Sequence, residues 1–124
     1  MKRILLILTL LVSLSAFAGR TYYQAIYFGV KTNSQWQMEK SEVGMVFDSD
    51  DMAMLIDSPR QQFYQFTSLT HQGYDSDGDY TTRFLAKDQD GDTCAIRFVK
   101  RTDGRCEIYI DFNNVSWMYI VVQY

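Results

Sequence analysis

The chain has 124 residues, a net charge of −3 and hydrophobic residues at 47% of its positions. This length corresponds to one domain with a modest hydrophobic core. The acidic balance excludes nucleic acid as an expected partner, because affinity for a phosphate backbone comes largely from lysine and arginine.

The first predicted element is a secretory signal peptide over residues 1–18. The basic start "MKR" precedes an apolar run from Ile4 to Val12, and the small residues of "AFA" suit a signal peptidase. This run is too short to span a bilayer and no later segment approaches about 20 apolar residues, so no transmembrane segment is expected. The mature chain would start near Gly19 and be secreted or periplasmic. Removing Lys2 and Arg3 with the leader changes the net charge from −3 to −5.

Residues 19–124 are predicted to form a single all-β domain. Apolar residues recur at every second position and are rich in Tyr, Phe, Ile and Val, which favours strands. For Asp51 to Ile56 the sequence does not decide between a strand and the start of a helix, because an aspartate precedes good helix formers there. The predicted strands are Thr21 to Thr32, Gln35 to Met38, Val43 to Asp48, Met52 to Asp57, Gln61 to Leu69, Asp79 to Asp88, Asp92 to Arg101, Arg105 to Asn113 and Val115 to Tyr124.

Three Asp-Gly pairs recur 13 residues apart, in "DSDGD", "DQDGD" and "RTDGR". Each glycine occupies the third position of a three-residue hairpin loop, where a positive φ favours glycine. These loops predict antiparallel hairpins and pair Asp88 with Asp92 and Arg101 with Arg105.

The predicted register separates the side chains cleanly into two faces, which a slip of one residue would mix. The apolar face comprises Phe84, Ala86, Cys94, Ile96, Phe98, Ile108, Ile110 and Phe112. The opposite face comprises Arg83, Lys87, Arg97, Arg101, Glu107 and Asp111.

A meander of seven to nine short antiparallel strands predicts either an up-and-down barrel or a two-sheet sandwich. The barrel is favoured, because a meander closes most simply by pairing its first and last strands. The last strand is apolar on both faces, so something should cover its outer side. The candidates are the Asp51 to Ile56 segment, a second copy of the protein in a homo-oligomer, or a partner.

The aspartate-rich loops resemble calcium loops only in part. Glycine stands at the fourth loop position instead of the sixth, and the twelfth positions are Ala86 and Val99 instead of acids. We therefore interpret both loops as turns and expect no metal and no cofactor. The aspartates concerned are Asp75, Asp77 and Asp79 in one loop and Asp88, Asp90 and Asp92 in the other.

The sequence does not indicate an enzyme. His71 is the only histidine, and it is predicted to be solvated in a loop before the first Asp-Gly hairpin. No serine lies in a glycine-flanked turn between a strand and a helix. A non-catalytic protein is therefore expected.

The two cysteines are predicted to be free thiols, although a secreted protein would ordinarily pair them. The register places Cys94 opposite Phe112 and Cys106 opposite Lys100, which separates the cysteines by about 20 Å along the strands. A disulfide requires Cα atoms within roughly 7 Å.

Tyr74, Tyr80 and Tyr109 are the candidate binding residues, the first two in loops and the third facing outward from a strand. Tyrosine is enriched at protein interfaces and stacks on sugars, although it also shields small sheets. Large inward side chains should fill the barrel, which favours its outer surface and turns for function. The expected function is a non-catalytic binding or structural module that meets a protein or glycan. The alternatives are a carrier of a small apolar ligand and an inhibitor or immunity-type protein.

Overall fold

The structure, a computed structural model, describes residues 19–32 and 34–123, so the predicted signal peptide lies outside the described residues. Within them the chain is all-β and forms nine strands without a helix. The strands are β1 (Arg20–Thr32), β2 (Gln35–Lys40), β3 (Gly44–Asp48), β4 (Ala53–Asp57), β5 (Gln62–Tyr74), β6 (Tyr80–Asp88), β7 (Thr93–Lys100), β8 (Cys106–Asp111) and β9 (Ser116–Gln123).

The strands form one antiparallel sheet in the order β2-β1-β3-β4-β5-β6-β7-β8-β9, and pairing of β1 with β9 closes it. The result is an eight-stranded up-and-down barrel with β2 as one extra strand, which confirms the barrel over the sandwich. The first half of β1 pairs with β3, and residues from Tyr27 to Thr32 pair with β2. Because β9 occupies the other edge of β1, β2 lies beyond the closed barrel.

The three Asp-Gly hairpins have the predicted geometry. Gly78, Gly91 and Gly104 have φ values of +87°, +85° and +91°. The backbone N–H of Asp88 donates to the carbonyl of Asp92 at 3.0 Å. The register derived from these loops is confirmed, because Phe84 pairs with Ile96, Ala86 with Cys94, Ile96 with Ile110 and Phe98 with Ile108.

At Asp51 to Ile56, which the sequence left open between strand and helix, the predicted strand is correct, because β4 occupies Ala53–Asp57 between β3 and β5. The predicted end of the next strand at Leu69 is wrong. Strand β5 continues to Tyr74, so His71 lies in a strand opposite Arg83 instead of in a loop. Shifts of the β5–β6 register at Thr67 and Thr70 break the alternation from which a strand is read.

Four phenylalanines fill the centre of the barrel. Phe47, Phe66, Phe84 and Phe98 pack with ring centroids 4.7 to 6.3 Å apart. The predicted inward residues all belong to this core or pack against it. Such rings bury large apolar areas and dominate the stability of a small core.

Both cysteines are free thiols, as predicted, with Cys94 buried and Cys106 half-buried. Cys94 lies opposite Ala86 and Cys106 opposite Lys100 in the strand pairing. Burial raises the pKa of the Cys94 thiol to about 12. This thiol is therefore a small apolar core side chain at neutral pH.

Candidate functional site

Tyr74 and Tyr80 are the last pair of residues in the β5–β6 hairpin before its turn. They are strand residues opposite each other, not loop residues, and their rings meet at 4.9 Å with an interplanar angle of 72°. Tyr74 is 77% exposed, more than any other large hydrophobic residue that the structure describes. The structure therefore brings these two predicted binding residues together at one exposed position.

Beyond Phe66, strand β5 has a partner on one edge only. Its pairing with β4 ends where Gln65 lies opposite Ala53, and the last backbone bond joins the N–H of Phe66 to the carbonyl of Met52 at 2.7 Å. From there to Tyr74, β5 pairs with β6 alone among the described residues. We call residues 67–74 the β5 edge; side chains at positions 67–72 are all exposed.

The pairing pattern shows which amides of the β5 edge are free. The N–H of Asp75 donates to the carbonyl of Asp79 at 2.9 Å, so this pair is hydrogen-bonded toward β6. Hydrogen-bonded and non-hydrogen-bonded pairs alternate along an antiparallel ladder. The backbone groups of Tyr74 and Gln72 therefore point away from β6, where the described chain provides no strand.

The composition of the β5 edge leaves it open to pairing. The segment "TSLTHQGY" contains no lysine, no proline and no acid, which are residues that natural proteins place on edge strands to block association. The open edge of β2 differs, because it ends in Glu39 and Lys40. The feature of the β5 edge that limits association with other strands is its pair of bulges, at Thr67 and Thr70.

Tyr109 points out of the barrel as predicted, but it is covered and only 8% exposed. Trp36 of β2 packs edge-on against its ring, and the Arg97 guanidinium lies 4.2 Å from the ring centroid. Met118 is buried in the same cluster. Trp36 thus covers part of the outer face of β9, and Tyr109 is not an exposed binding residue.

An ion-pair network lies beside Tyr109 on the outer face, to which the predicted register assigned Arg101 and Glu107. Glu107, 4% exposed, accepts hydrogen bonds from the Tyr109 hydroxyl at 2.8 Å and from Nε of Arg101 at 2.9 Å. Its other oxygen lies 3.0 Å from Nε of Arg105. The positive charges of Arg101 and Arg105 balance the negative charge of this buried carboxylate. We therefore interpret Glu107 as a residue that stabilises the fold and not as a proton donor or acceptor.

Asp79 extends the network to the neighbouring turn. Its carboxylate accepts a hydrogen bond from Nη1 of Arg101 at 2.9 Å and one from the N–H of Thr102 at 3.0 Å. The Arg101 guanidinium lowers the pKa of the Asp79 carboxyl below its ordinary value. The β5–β6 hairpin is thereby fixed to the β7–β8 turn, so the exposed Tyr74 and the half-buried Tyr80 lie on a rigid support.

The aspartate loops bring three carboxylates within 4.8 Å of one another, but their hydrogen bonds are those of turns. Oδ1 of Asp75 accepts the N–H groups of Asp77 and Asp79 at 2.9 and 3.1 Å. Asp88 does the same for the amides of Asp90 and Asp92, both at 2.9 Å. Aspartate at the start of a tight turn commonly accepts such bonds.

Open depressions lie at the two barrel ends, with the phenylalanine core between them. One of about 400 Å³ is lined by polar residues of two turns, including Arg60 and Asp88, and by Trp117. The other, of about 150 Å³, is lined by side chains that include Tyr23 and Cys106. Burial raises the pKa of Tyr23 to about 12. Neither depression is the large apolar cavity that a lipid carrier requires.

One exposed feature was missed by the sequence reasoning. Tyr22, Val46, Leu55 and Phe63 form an apolar row on the outside of the barrel, because they are directly opposed across β1, β3, β4 and β5. The available signal was that β3, β4 and the start of β5 are apolar at both odd and even positions. A strand with one face in water should alternate instead.

Comparison of the chain with protein-family models, curated proteins and solved structures finds no match. Among the described residues, no helix has the length and apolar character needed to cross a bilayer. The protein is therefore classed by its architecture, a closed eight-stranded antiparallel barrel with one added strand.

Proposed function

We propose that the protein is a secreted or periplasmic, non-catalytic binding module that meets another protein through the end of its β5–β6 hairpin. The single observation that carries this proposal is the β5 edge, a strand segment with free backbone groups that ends in the exposed Tyr74. The predicted leader supports a location outside the cytoplasm.

The physical basis is strand addition. An extended segment of a partner can pair with an open sheet edge, where main-chain hydrogen bonds provide affinity and side-chain contacts provide specificity. Tyr74 and Tyr80 would supply the anchor, because rigid aromatic side chains contribute much of the energy at protein interfaces. The network around Asp79 supports this role, since a fixed hairpin loses little entropy on binding.

A protein partner is favoured over a glycan, because free backbone N–H and C=O groups along a strand match a peptide chain. A surface function is favoured over a carrier, because four phenylalanines occupy the barrel centre. Saturable uptake of a fluorescent fatty acid would favour the carrier instead.

An inhibitor or immunity-type protein is the second candidate, and the exposed Tyr74 at the end of the hairpin favours it. A rigid hairpin with an exposed aromatic end can enter the cleft of an enzyme. The two functions differ in outcome, because binding by an inhibitor lowers the activity of its partner.

Site-specific photo-crosslinking tests the proposal. Benzoylphenylalanine replaces Tyr74 in one variant and Asp90 in the control, since Asp90 is an exposed residue of the β6–β7 loop, at the other end of β6. Both proteins are irradiated in the secreted or periplasmic fraction. We expect a discrete protein adduct from position 74 that is absent from position 90. Equal adducts at both positions, no adduct, or an adduct that glycosidases remove would overturn the proposal.

A further inference from the structure

The apolar row of Tyr22, Val46, Leu55 and Phe63, which includes the start of β5, points to a second interface. Tyr22 and Phe63, at its two ends, are 40% and 42% exposed, and Val46 and Leu55 between them are half-buried. Neighbouring strands lie about 4.8 Å apart, so the row spans about 14 Å across four strands. Inward neighbours such as Met54 are already in the core, so the row cannot turn inward.

The row lacks the cover that the other apolar outer face possesses. On β8 and β9, Trp36 packs over Tyr109 and Met118. No described segment packs over the row in the same way. Contiguous exposed apolar residues on a small soluble domain mark a surface that meets a partner.

A depression of about 400 Å³ runs beside the row. It is lined by Tyr22, Val46 and Leu55 on one side and by polar residues such as Gln24 and Asp57 on the other. Gly44 also lines the depression, and a Cβ at this position would meet no atom within 4 Å, so there is open space beside it. The partner can therefore place a side chain into the depression.

The charges around the row identify the kind of partner. The exposed acids near it are Glu42, Asp50, Asp51 and Asp57. The nearby basic residues are Arg20, which is paired with Asp48 at 3.4 Å, Arg60, and Lys87, which lies opposite Gln65 on β6. Two copies of this face would place acidic margins against each other, which disfavours a homodimer. A partner surface with lysine or arginine around an apolar centre would complement both the apolar row and the acids around it.

We infer that the row of Tyr22, Val46, Leu55 and Phe63 is a docking site for a protein segment with an apolar centre and flanking basic residues. This interface goes beyond the proposed hairpin interface and does not depend on it. Phe63 and Tyr74 are separated by 11 residues of one strand, or about 35 Å. Both surfaces can therefore be occupied at once, and the protein can bridge two partners.

Selection of short random peptides displayed on phage tests this inference. The wild-type protein should enrich peptides with apolar residues flanked by lysine or arginine. Leu55→Asp and Gly44→Leu should each reduce recovery of those peptides at least about tenfold, the first by removing the apolar contact and the second by filling the depression. Thr93→Leu adds the same side chain at an exposed position of β7, which β6 separates from the row, and should leave recovery unchanged.

Hairpin variants separate the two interfaces. Tyr74→Ala should leave recovery of the row-binding peptides unchanged, so failure of one proposal does not imply failure of the other. Enriched peptides without basic residues, or recovery that survives both Leu55→Asp and Gly44→Leu, would overturn the inference. A dimer in sedimentation that Leu55→Asp abolishes would overturn it too, because the occupant would then be a second copy.

Discussion

Trp36 and Tyr109 meet edge to face on the outside of the barrel, with ring centroids 5.9 Å apart and an interplanar angle of 70°. This contact connects the extra strand β2 to β8 across β1 and β9. Gly29 provides the space, because a Cβ there would collide with Met38 and lie 3.4 Å from the Trp36 ring. The contact explains why β2 stays against a barrel that is already closed.

Removing the Trp36 ring should therefore destabilise the fold. We expect Trp36→Ala to lower the free energy of unfolding by about 2 kcal/mol, less than for a fully buried tryptophan because the ring is partly exposed. Urea unfolding measures this change. Gln37→Ala, at the adjacent exposed position, is the control, and an equal midpoint for both variants would show that β2 is held by its backbone alone.

The pair of Asp79 and Arg101 should make stability depend on pH in acid. The folded-state pKa of Asp79 lies below its ordinary value of 3.8. The ionised, paired form therefore stabilises the fold above this value, and the contribution is lost as the pH falls through the folded-state pKa. Urea midpoints from about pH 7 to about pH 2 should fall less steeply for Asp79→Asn than for wild type. Parallel curves would contradict this role, and Asp77→Asn is the control.

The two cysteines should react only after unfolding. Burial raises the pKa of both thiols, that of Cys94 to about 12, so few thiolates form at neutral pH. Without reductant, native protein should take up iodoacetamide slowly, and denatured protein should take up two equivalents. Mass spectrometry reads this directly. Denatured protein that takes up none would reveal a disulfide and refute the strand register.

Calcium should leave the melting temperature nearly unchanged. Oδ1 of Asp75 and of Asp88 already binds two backbone amides, and the carboxylate of Asp79 is paired with Arg101. A ligand that bound only the native state would raise stability with its concentration. Differential scanning fluorimetry in millimolar calcium and in EDTA measures this, and a rise of many degrees reversed by EDTA would contradict the interpretation of these loops as turns.

The hairpins could be predicted from sequence because the residues that determine each one lie close together in the chain. A glycine at the third loop position sets the turn, the turn sets the register, and the register places Phe84 and Ile96 together on the inner face. Closure of the barrel followed from the apolar first and last strands. These predictions required only the residues of each turn and the pattern of apolar residues along each strand.

The candidate site was less predictable because it depends on distant contacts. Tyr74 and Tyr80 were identified, but the length of β5 was not, since bulges at Thr67 and Thr70 interrupt its alternation. The burial of Tyr109 depends on Trp36, which lies on the strand with the weakest pattern. Sequence alternation shows which way a side chain points, and a cover from elsewhere in the chain decides whether it is exposed.

The most direct test of the account compares Gln72→Pro with Gln72→Ala in the crosslinking assay at position 74. Both variants remove the same exposed side chain, but only proline removes the N–H that points away from β6. Circular dichroism and urea unfolding establish that both remain folded. Strand addition at the β5 edge predicts a normal adduct with Gln72→Ala and loss of most of the adduct with Gln72→Pro. Equal adducts from two folded variants would contradict the claim that the partner pairs with this edge.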